Sequence, residues 1–160
     1  MLDEERVIND FYSAFQKRDA ERMIVHYHPE VLFEDPAFGL LKGDEARGMW
    51  KMLCASASDL KIDFKIVKAE KEQVEASWEA FYTFSASGRK VHNKIRAHFE
   101  FKEGLILKHT DSFNLHRWAS QALGWKGFLF GATSFFKKKL NKQTRRLLVK
   151  FLQDSFPKGN

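Results

Sequence analysis

Two periodicities divide the chain. Up to residue 57 apolar side chains recur at helical spacing, from Asp59 to Leu115 they alternate, and beyond Arg117 helical spacing returns. Leu2, Val7, Phe11, Ala14 and Phe15 share one face of a helix over residues 2–17. Asp19 suits the N-cap of a short second helix carrying Met23, Ile24 and Tyr27. Residues 31–35 read as a short strand ended by Pro36, because proline donates nothing to a ladder. Asp44 suits the cap of a third helix with the stripe Ala46, Trp50, Leu53 and Ala57.

The alternating region predicts four antiparallel strands. Their inner faces begin with Leu60, Ile62, Phe64 and Ile66, followed by Val74, Ala76, Trp78, Ala80, Tyr82 and Phe84. Ser87-Gly88 then suits a two-residue hairpin turn, and Val91, Asn93, Ile95, Ala97, Phe99 and Phe101 form the next face. The following turn sets the register. Glutamate is disfavoured at positive φ, so Lys102-Glu103-Gly104 predicts a type I turn with a glycine bulge that pairs Phe101 with Leu105. Leu105, Leu107, His109, Asp111, Phe113 and Leu115 then face inward, and Arg96, His98, Glu100, Lys108 and Thr110 face outward. A tight Glu103-Gly104 turn would instead shift the pairing by one and set Arg96 beside Asp111. Three helices before a sheet with one apolar face make the class α+β.

Residues 117–123 predict a short helix ended by Gly124, residues 125–133 a linker, and residues 134–155 a last helix. The apolar stripe of that helix is Phe135, Phe136, Leu140, Leu147, Leu148, Phe151 and Leu152. Its other face carries Lys137, Lys138, Lys139, Lys142, Arg145, Arg146 and Lys150. Pro29 and Pro157 act as local punctuation.

Composition narrows the picture. A chain of 160 residues fits one hydrophobic core, and 16 Phe imply an interior built of large rings. With Cys54 alone no internal disulfide forms, and the acidic start Met1-Leu2-Asp3-Glu4-Glu5-Arg6 lacks a secretory apolar stretch. A reduced, cytoplasmic compartment is expected. The longest weakly polar run, residues 127–136, is half of the about 20 residues a membrane helix needs. The net charge of +6 is uneven: residues 134–160 hold eight Lys and Arg against Asp154, whereas residues 1–133 hold nineteen against twenty acids. The basic character belongs to the last helix, which excludes a whole-domain nucleic-acid surface.

The candidate chemistry is polar side chains where the pattern demands apolar ones: Asp35, Tyr82, Asn93, His109 and Asp111. His109 and Asp111 lie two apart on one strand, with Cβ atoms about 6–7 Å apart. An isolated buried carboxylate is costly, so two on one apolar face imply a wet cavity, a hydrogen-bonded pair or a protonated member, the ingredients of an acid/base site. Each also has a structural reading. Asp35 before Pro36 suits a turn cap, His109 a core histidine satisfied by Asp111, and Asn93 and Tyr82 hydrogen-bonded core positions. Trp50, Trp78 and Phe113 suit walls, and Cys54 a small buried hydrophobe. No metal-ligand cluster, phosphate-binding glycine loop or nucleophile elbow occurs, so neither cofactor nor metal is expected.

Three helices, a strand ending in Phe33-Glu34-Asp35-Pro36, Gly43 before the third helix and a long sheet turning at Gly104-Leu105-Ile106 together resemble the nuclear transport factor 2-like superfamily over residues 1–115. That superfamily includes SnoaL-like cyclases, ketosteroid isomerases and limonene-epoxide hydrolases. The segment from His109 through Asp111, Phe113, Arg117-Trp118-Ala119 and Gln121 to Gly124 resembles an uncharacterised bacterial subgroup. The resemblance implies a cone-shaped, strongly bent antiparallel sheet closed by the N-terminal helices. It implies a pocket domain over 1–125, with a basic helical extension over 126–160 packed on it. Asp35 falls at the general base of ketosteroid isomerases. Their oxyanion tyrosine falls at Phe11 and their protonated aspartate at Ala97, so both oxyanion donors are missing. Asp111 resembles the last-strand aspartate of the epoxide hydrolases, whose second aspartate is missing from Arg96-Ala97-His98.

The expected function is binding of a small apolar molecule, with cofactor-free isomerase, cyclase or hydrolase/lyase chemistry. Asp35 would be the acid/base, His109 a second proton carrier, and Asp111 the group fixing its tautomer. Trp50, Trp78, Tyr82, Asn93 and Phe113, with Phe11 and Trp118, would contact the ligand. The alternatives are a noncatalytic ligand-binding protein, or a membrane- or RNA-associated module using the basic helix. Against the latter, such a helix commonly packs its stripe on its own domain. The resemblance also implies a homodimer through the outer sheet face, where Glu79, Thr83, Arg96, His98 and Thr110 surround Phe81.

Overall fold

The N-terminal helix follows from its own residues. Asp3, Glu4 and Glu5 occupy the first turn of α1 (Asp3–Gln16), where negative charge complements the helix dipole, and Ile8, Phe11, Tyr12 and Phe15 bury one stripe. The computed structural model describes residues 1–56 and 58–155; Ala57 and Pro157, named above, lie outside them. Asp19 caps α2 (Ala20–Ile24) by accepting the Arg22 N–H at 3.1 Å. The chain then enters β1 (Tyr27–Asp35), turns over Pro36–Phe38, and returns as β2 (Gly39–Lys42) before α3 (Asp44–Ser56). Asp44 is not a cap: it is the first helical residue, and its solvent-exposed carboxylate pairs with Arg47 at 3.5 Å.

Four strands follow: β3 (Lys61–Glu70), β4 (Gln73–Phe84), β5 (Arg89–Lys102) and β6 (Leu105–Ser112). They join the first two in one curved sheet of order β2-β1-β6-β5-β4-β3. The class is α+β, as expected, but the sheet is mixed, because β1 runs parallel to β6. Only a strand reached by a long excursion can pair this way. Phe33 consequently lies beside His109, and Glu34 beside Thr110.

Both hairpins depart from expectation. Phe84 pairs with Arg89, so the first loop spans residues 85–88 rather than Ser87-Gly88 alone. The second is the tight alternative: Lys102 pairs with Leu105, with Glu103 at φ 54° and Gly104 at φ 78°. A bulge at Leu107 then restores the parity that the tight turn removes, since Phe101 pairs with Ile106 but Glu100 with Lys108. Ile106 is therefore buried in place of Leu105 and Leu107, while Asp111 lies opposite Ala97 rather than Arg96.

β6 ends at Ser112, and Asn114 caps α4 (Leu115–Leu123) by accepting the Arg117 N–H at 2.9 Å. The expected linker instead contains a helix, α5 (Trp125–Phe130), and α6 runs from Ser134 to Ser155. Leu148 of α6 is buried, and Leu152 reaches Gly48 of α3 so closely that an added Cβ there would sit 2.5 Å from its Cδ2. Two members of the expected stripe point outward, Phe135 at 75% exposure and Leu147 at 54%.

The main core lies between the sheet and α1, α3 and α6. A smaller cluster of Val91, Trp118, Ala119 and Ala122 lies under α4. Among the described residues no helix is long and apolar enough to cross a membrane.

Candidate functional site

The inner face of the sheet has a fully buried, sealed end and a half-buried end, called the open end below. At the sealed end His109 is wholly buried inside rings. Trp50 stacks on it at 5.8 Å and 13°, Phe99 lies 4.2 Å away, and Phe11 and Phe33 meet it edge-on. A polar ring survives there because its nitrogens are satisfied. Nδ1 meets the Tyr27 hydroxyl at 2.8 Å and Nε2 meets Asp111 Oδ1 at 2.9 Å. Trp50 donates its indole N–H to the Tyr27 oxygen at 2.6 Å. A carboxylate can only accept, which favours the histidine's proton on Nε2 facing Asp111 and leaves Nδ1 to accept from the Tyr27 hydroxyl. Trp78 adds an N–H toward the same Oδ1 at 3.4 Å.

This fixes Asp111 rather than freeing His109. Its ring has no nitrogen left for a substrate, contrary to the expected second proton carrier. Asp111, 4% exposed, uses only Oδ1, and Oδ2 accepts no hydrogen bond among the described residues. Among the described residues the Tyr12 hydroxyl is buried without a partner, and burial, followed by the Asp111 charge, pushes it well above the usual phenol range.

The open end is built on the turn after β1. Asp35 shares the strand parity of Val31 and Phe33, and its Oδ1 accepts the N–H groups of Ala37 at 2.9 Å and Phe38 at 2.6 Å. It does cap a turn, yet it is also chemically displaced. Burial, with a smaller contribution from the charge of Asp111, raises its pKa to about 7 against the lowering effect of the Phe38 and Ala37 N–H groups. The residue as a whole is half-buried.

Other expected contacts gather at this end. Tyr82 accepts the Trp118 indole N–H at 2.8 Å, linking β4 to α4. Tyr82, Asn93 and Phe113 face inward but are only half-buried. Phe11 and Trp50 belong to the sealed wall, and Trp78 lies between the two ends through Asp111. Cys54 is a buried hydrophobe whose thiol is pushed up to about 11 by burial. No group of three or more His, Cys, Asp or Glu able to hold a metal occurs among the described residues.

α6 closes over the same turn. Asn141 donates its amide to the Pro36 and Ala37 carbonyls at 2.9 and 3.0 Å, and the Thr144 hydroxyl donates to Ala37 at 2.9 Å. Arg145 hydrogen-bonds the Leu40 carbonyl and pairs with Glu45 at 3.3 Å.

The SnoaL-like domain family matches residues 8–109, well over half of the chain. The chain belongs to the SnoaL-like family. No curated protein matches it. Among solved structures, this SnoaL-like chain is similar to an NTF2-like protein of unknown function from Burkholderia pseudomallei. That pair is 17% identical over 77% of this chain and 99% of that one, with a TM-score of 0.67. It is also similar to an LEH-like epoxide hydrolase from M. tuberculosis, 17% identical over 81% and 91% of the two chains, with a TM-score of 0.56. A protein with a ketosteroid isomerase-like fold from Catenulispora acidiphila, in complex with trimethylamine, is 13% identical over 72% and 91%, with a TM-score of 0.62. At these identities the likeness establishes the nuclear transport factor 2-like fold.

The sequence reading of this SnoaL-like chain missed Tyr12 and misplaced Tyr27 on a helix. Tyr27 is buried together with His28 ahead of exposed Pro29, and the strand's register shifts between Tyr27 and Leu32, so alternation from Val31, Phe33 and Asp35 does not reach back to it. Tyr12 carried no signal either, since an aromatic at a buried helical position reads as core.

Proposed function

We propose that the protein binds a small apolar molecule bearing a carbonyl or hydroxyl at the open end of the cone, and moves a proton on it with Asp35. The carrying observation is the Asp35 carboxyl, raised to about 7 while anchored by two backbone N–H groups. A base tuned near the working pH combines adequate ionisation with adequate strength. Asp111 is the second polar contact, held by His109, which acts as a positioning residue. Asp111 pairs across the sheet with Ala97, the position at which ketosteroid isomerases carry an oxyanion-hole aspartate. A carboxyl therefore approaches that region from the neighbouring strand. The orphan Tyr12 hydroxyl supports an interior that receives a polar partner.

The test is deuterium incorporation next to the carbonyl of a panel of apolar cyclic ketones in D₂O, followed by proton NMR, alongside turnover of apolar epoxides. Wild type should exchange or turn over at least one compound, with a rate rising through pH 7 as Asp35 ionises. Asp35→Asn should lose roughly 10²–10⁴-fold while keeping its fold. Equal rates for the two proteins would end the acid/base reading.

A second reading, ligand binding without turnover, draws on the turn-capping role of Asp35. It predicts that Asp35→Asn binds the same compounds with unchanged affinity and that no compound reacts.

A further inference from the structure

α5 inverts the usual arrangement of a surface helix. Its small residue is buried and its large apolar residues are in water. An added Cβ on Gly127 would lie 1.9 Å from the Ala119 carbonyl oxygen, and one on Gly131 would lie 2.7 Å from the Ala119 Cβ. These two glycines press α5 against α4 backbone to backbone, which turns its bulky side outward. Trp125, Phe128, Leu129 and Phe130 are 67%, 64%, 57% and 56% exposed, and Phe135 in the first turn of α6 is 75% exposed. Thr133 ties the two helices by donating its N–H and hydroxyl to the Phe130 carbonyl at 3.0 and 2.7 Å, so these side chains share one corner of the molecule. Isolated exposed apolar residues are ordinary, but five large ones on one corner mark a contact surface.

Charge indicates what covers it. From Ser112 to Gln153 the sequence carries nine Lys and Arg and no Asp or Glu. Lys126 sits 5.7 Å above the Trp125 ring, and Lys137, Lys138 and Lys139 follow directly after Phe135–Phe136. None of these four lysines joins a salt bridge among the described residues. An open groove on the outward side of α6, lined by Lys142, Arg146 and Lys150, extends the cationic surface. A second copy docking on this corner would bring like charges together without an acidic counterpart. An aromatic knob beside lysines that join no salt bridge among the described residues matches the apolar boundary and negative headgroups of an anionic bilayer.

We propose that α5 and the start of α6 anchor the protein on anionic phospholipid membranes, with Trp125, Phe128, Leu129, Phe130 and Phe135 entering the headgroup–acyl boundary. This surface is separate from Asp35 and stands whatever the pocket does. The experiment is co-sedimentation of the full chain with vesicles of phosphatidylcholine alone or containing phosphatidylglycerol. Sedimentation velocity on the same samples without lipid, and thermal melts, accompany it. The expected result is binding to anionic vesicles at least ~10-fold tighter than to neutral ones, weakening with salt. Lys137→Gln, Lys138→Gln and Lys139→Gln combined should cost on the order of 100-fold, from roughly fivefold per lysine. Phe128→Ser with Phe130→Ser should abolish binding with the melting temperature unchanged or raised. No binding to anionic vesicles overturns the proposal. So does binding that the Phe128→Ser/Phe130→Ser variant retains, or a lipid-free dimer that this variant dissolves while vesicles are ignored.

Discussion

His109 and Asp35 both interrupt the same apolar face, and the protein treats them in opposite ways. His109 is wrapped in rings, given a partner at each nitrogen and shut away from solvent. Asp35 lies on a half-buried turn, receives two backbone donors on one oxygen and is left with a displaced pKa. Satisfied polar groups in a sealed interior supply order. Imperfectly compensated ones near an opening supply reactivity, so perturbation beside access is the better mark of a site than burial alone.

The contrast breaks most visibly at the sealed end. His109→Leu leaves Asp111 with only the long Trp78 contact and the Tyr27 proton without its acceptor, and should lower stability by about 2–4 kcal/mol in urea unfolding. A loss below about 1 kcal/mol would mean that the Asp111–His109–Tyr27 chain contributes little to the fold.

At the open end the sign runs the other way with pH. The folded state raises the Asp35 pKa above its ordinary value of 3.8, to about 7. Folding is therefore unpenalised below pH 4, weakens as pH rises from 4 to 7 and stays weakened above. Asp35→Asn keeps an acceptor for both backbone donors and removes the charge. It should flatten this decline and stabilise the protein at pH 8 by about 2 kcal/mol, the partial solvation of the group discounting the full shift. Parallel slopes for the two proteins in urea midpoints measured from pH 4.5 to 8 would contradict the assignment.

The smallest expected effect tests the brace over Asp35. Asn141→Ala removes two bonds to the turn and should cost about 1 kcal/mol of stability. It should also move the pH midpoint seen at Asp35, whereas substitution of exposed Gln143 should move neither.

Much of this was legible in local pattern. The inner faces of β4 and β5 follow strict alternation, α6 spans the predicted residues 134–155, and both members of the His109–Asp111 pair stand out as polar intruders. What escaped depends on distant parts of the chain. β2 has four residues and pairs only because β1 offers an edge. α5 looks like a linker until Gly127 meets Ala119. The bulge at Leu107 that rescues the inner face after Glu103-Gly104 cannot be seen from the turn itself. Tyr27 and His109, bonded at the heart of the sealed end, lie 82 residues apart.

The bonds from Asn141 and Thr144 to the turn at Pro36 and Ala37 have a temporal consequence. They join residues more than 100 positions apart. During synthesis the Asp35 turn leaves the ribosome early and waits for α6, so the nascent domain can assemble its sheet long before the carboxyl acquires its finished surroundings. The finished environment of this carboxyl therefore requires α6 to dock on the turn.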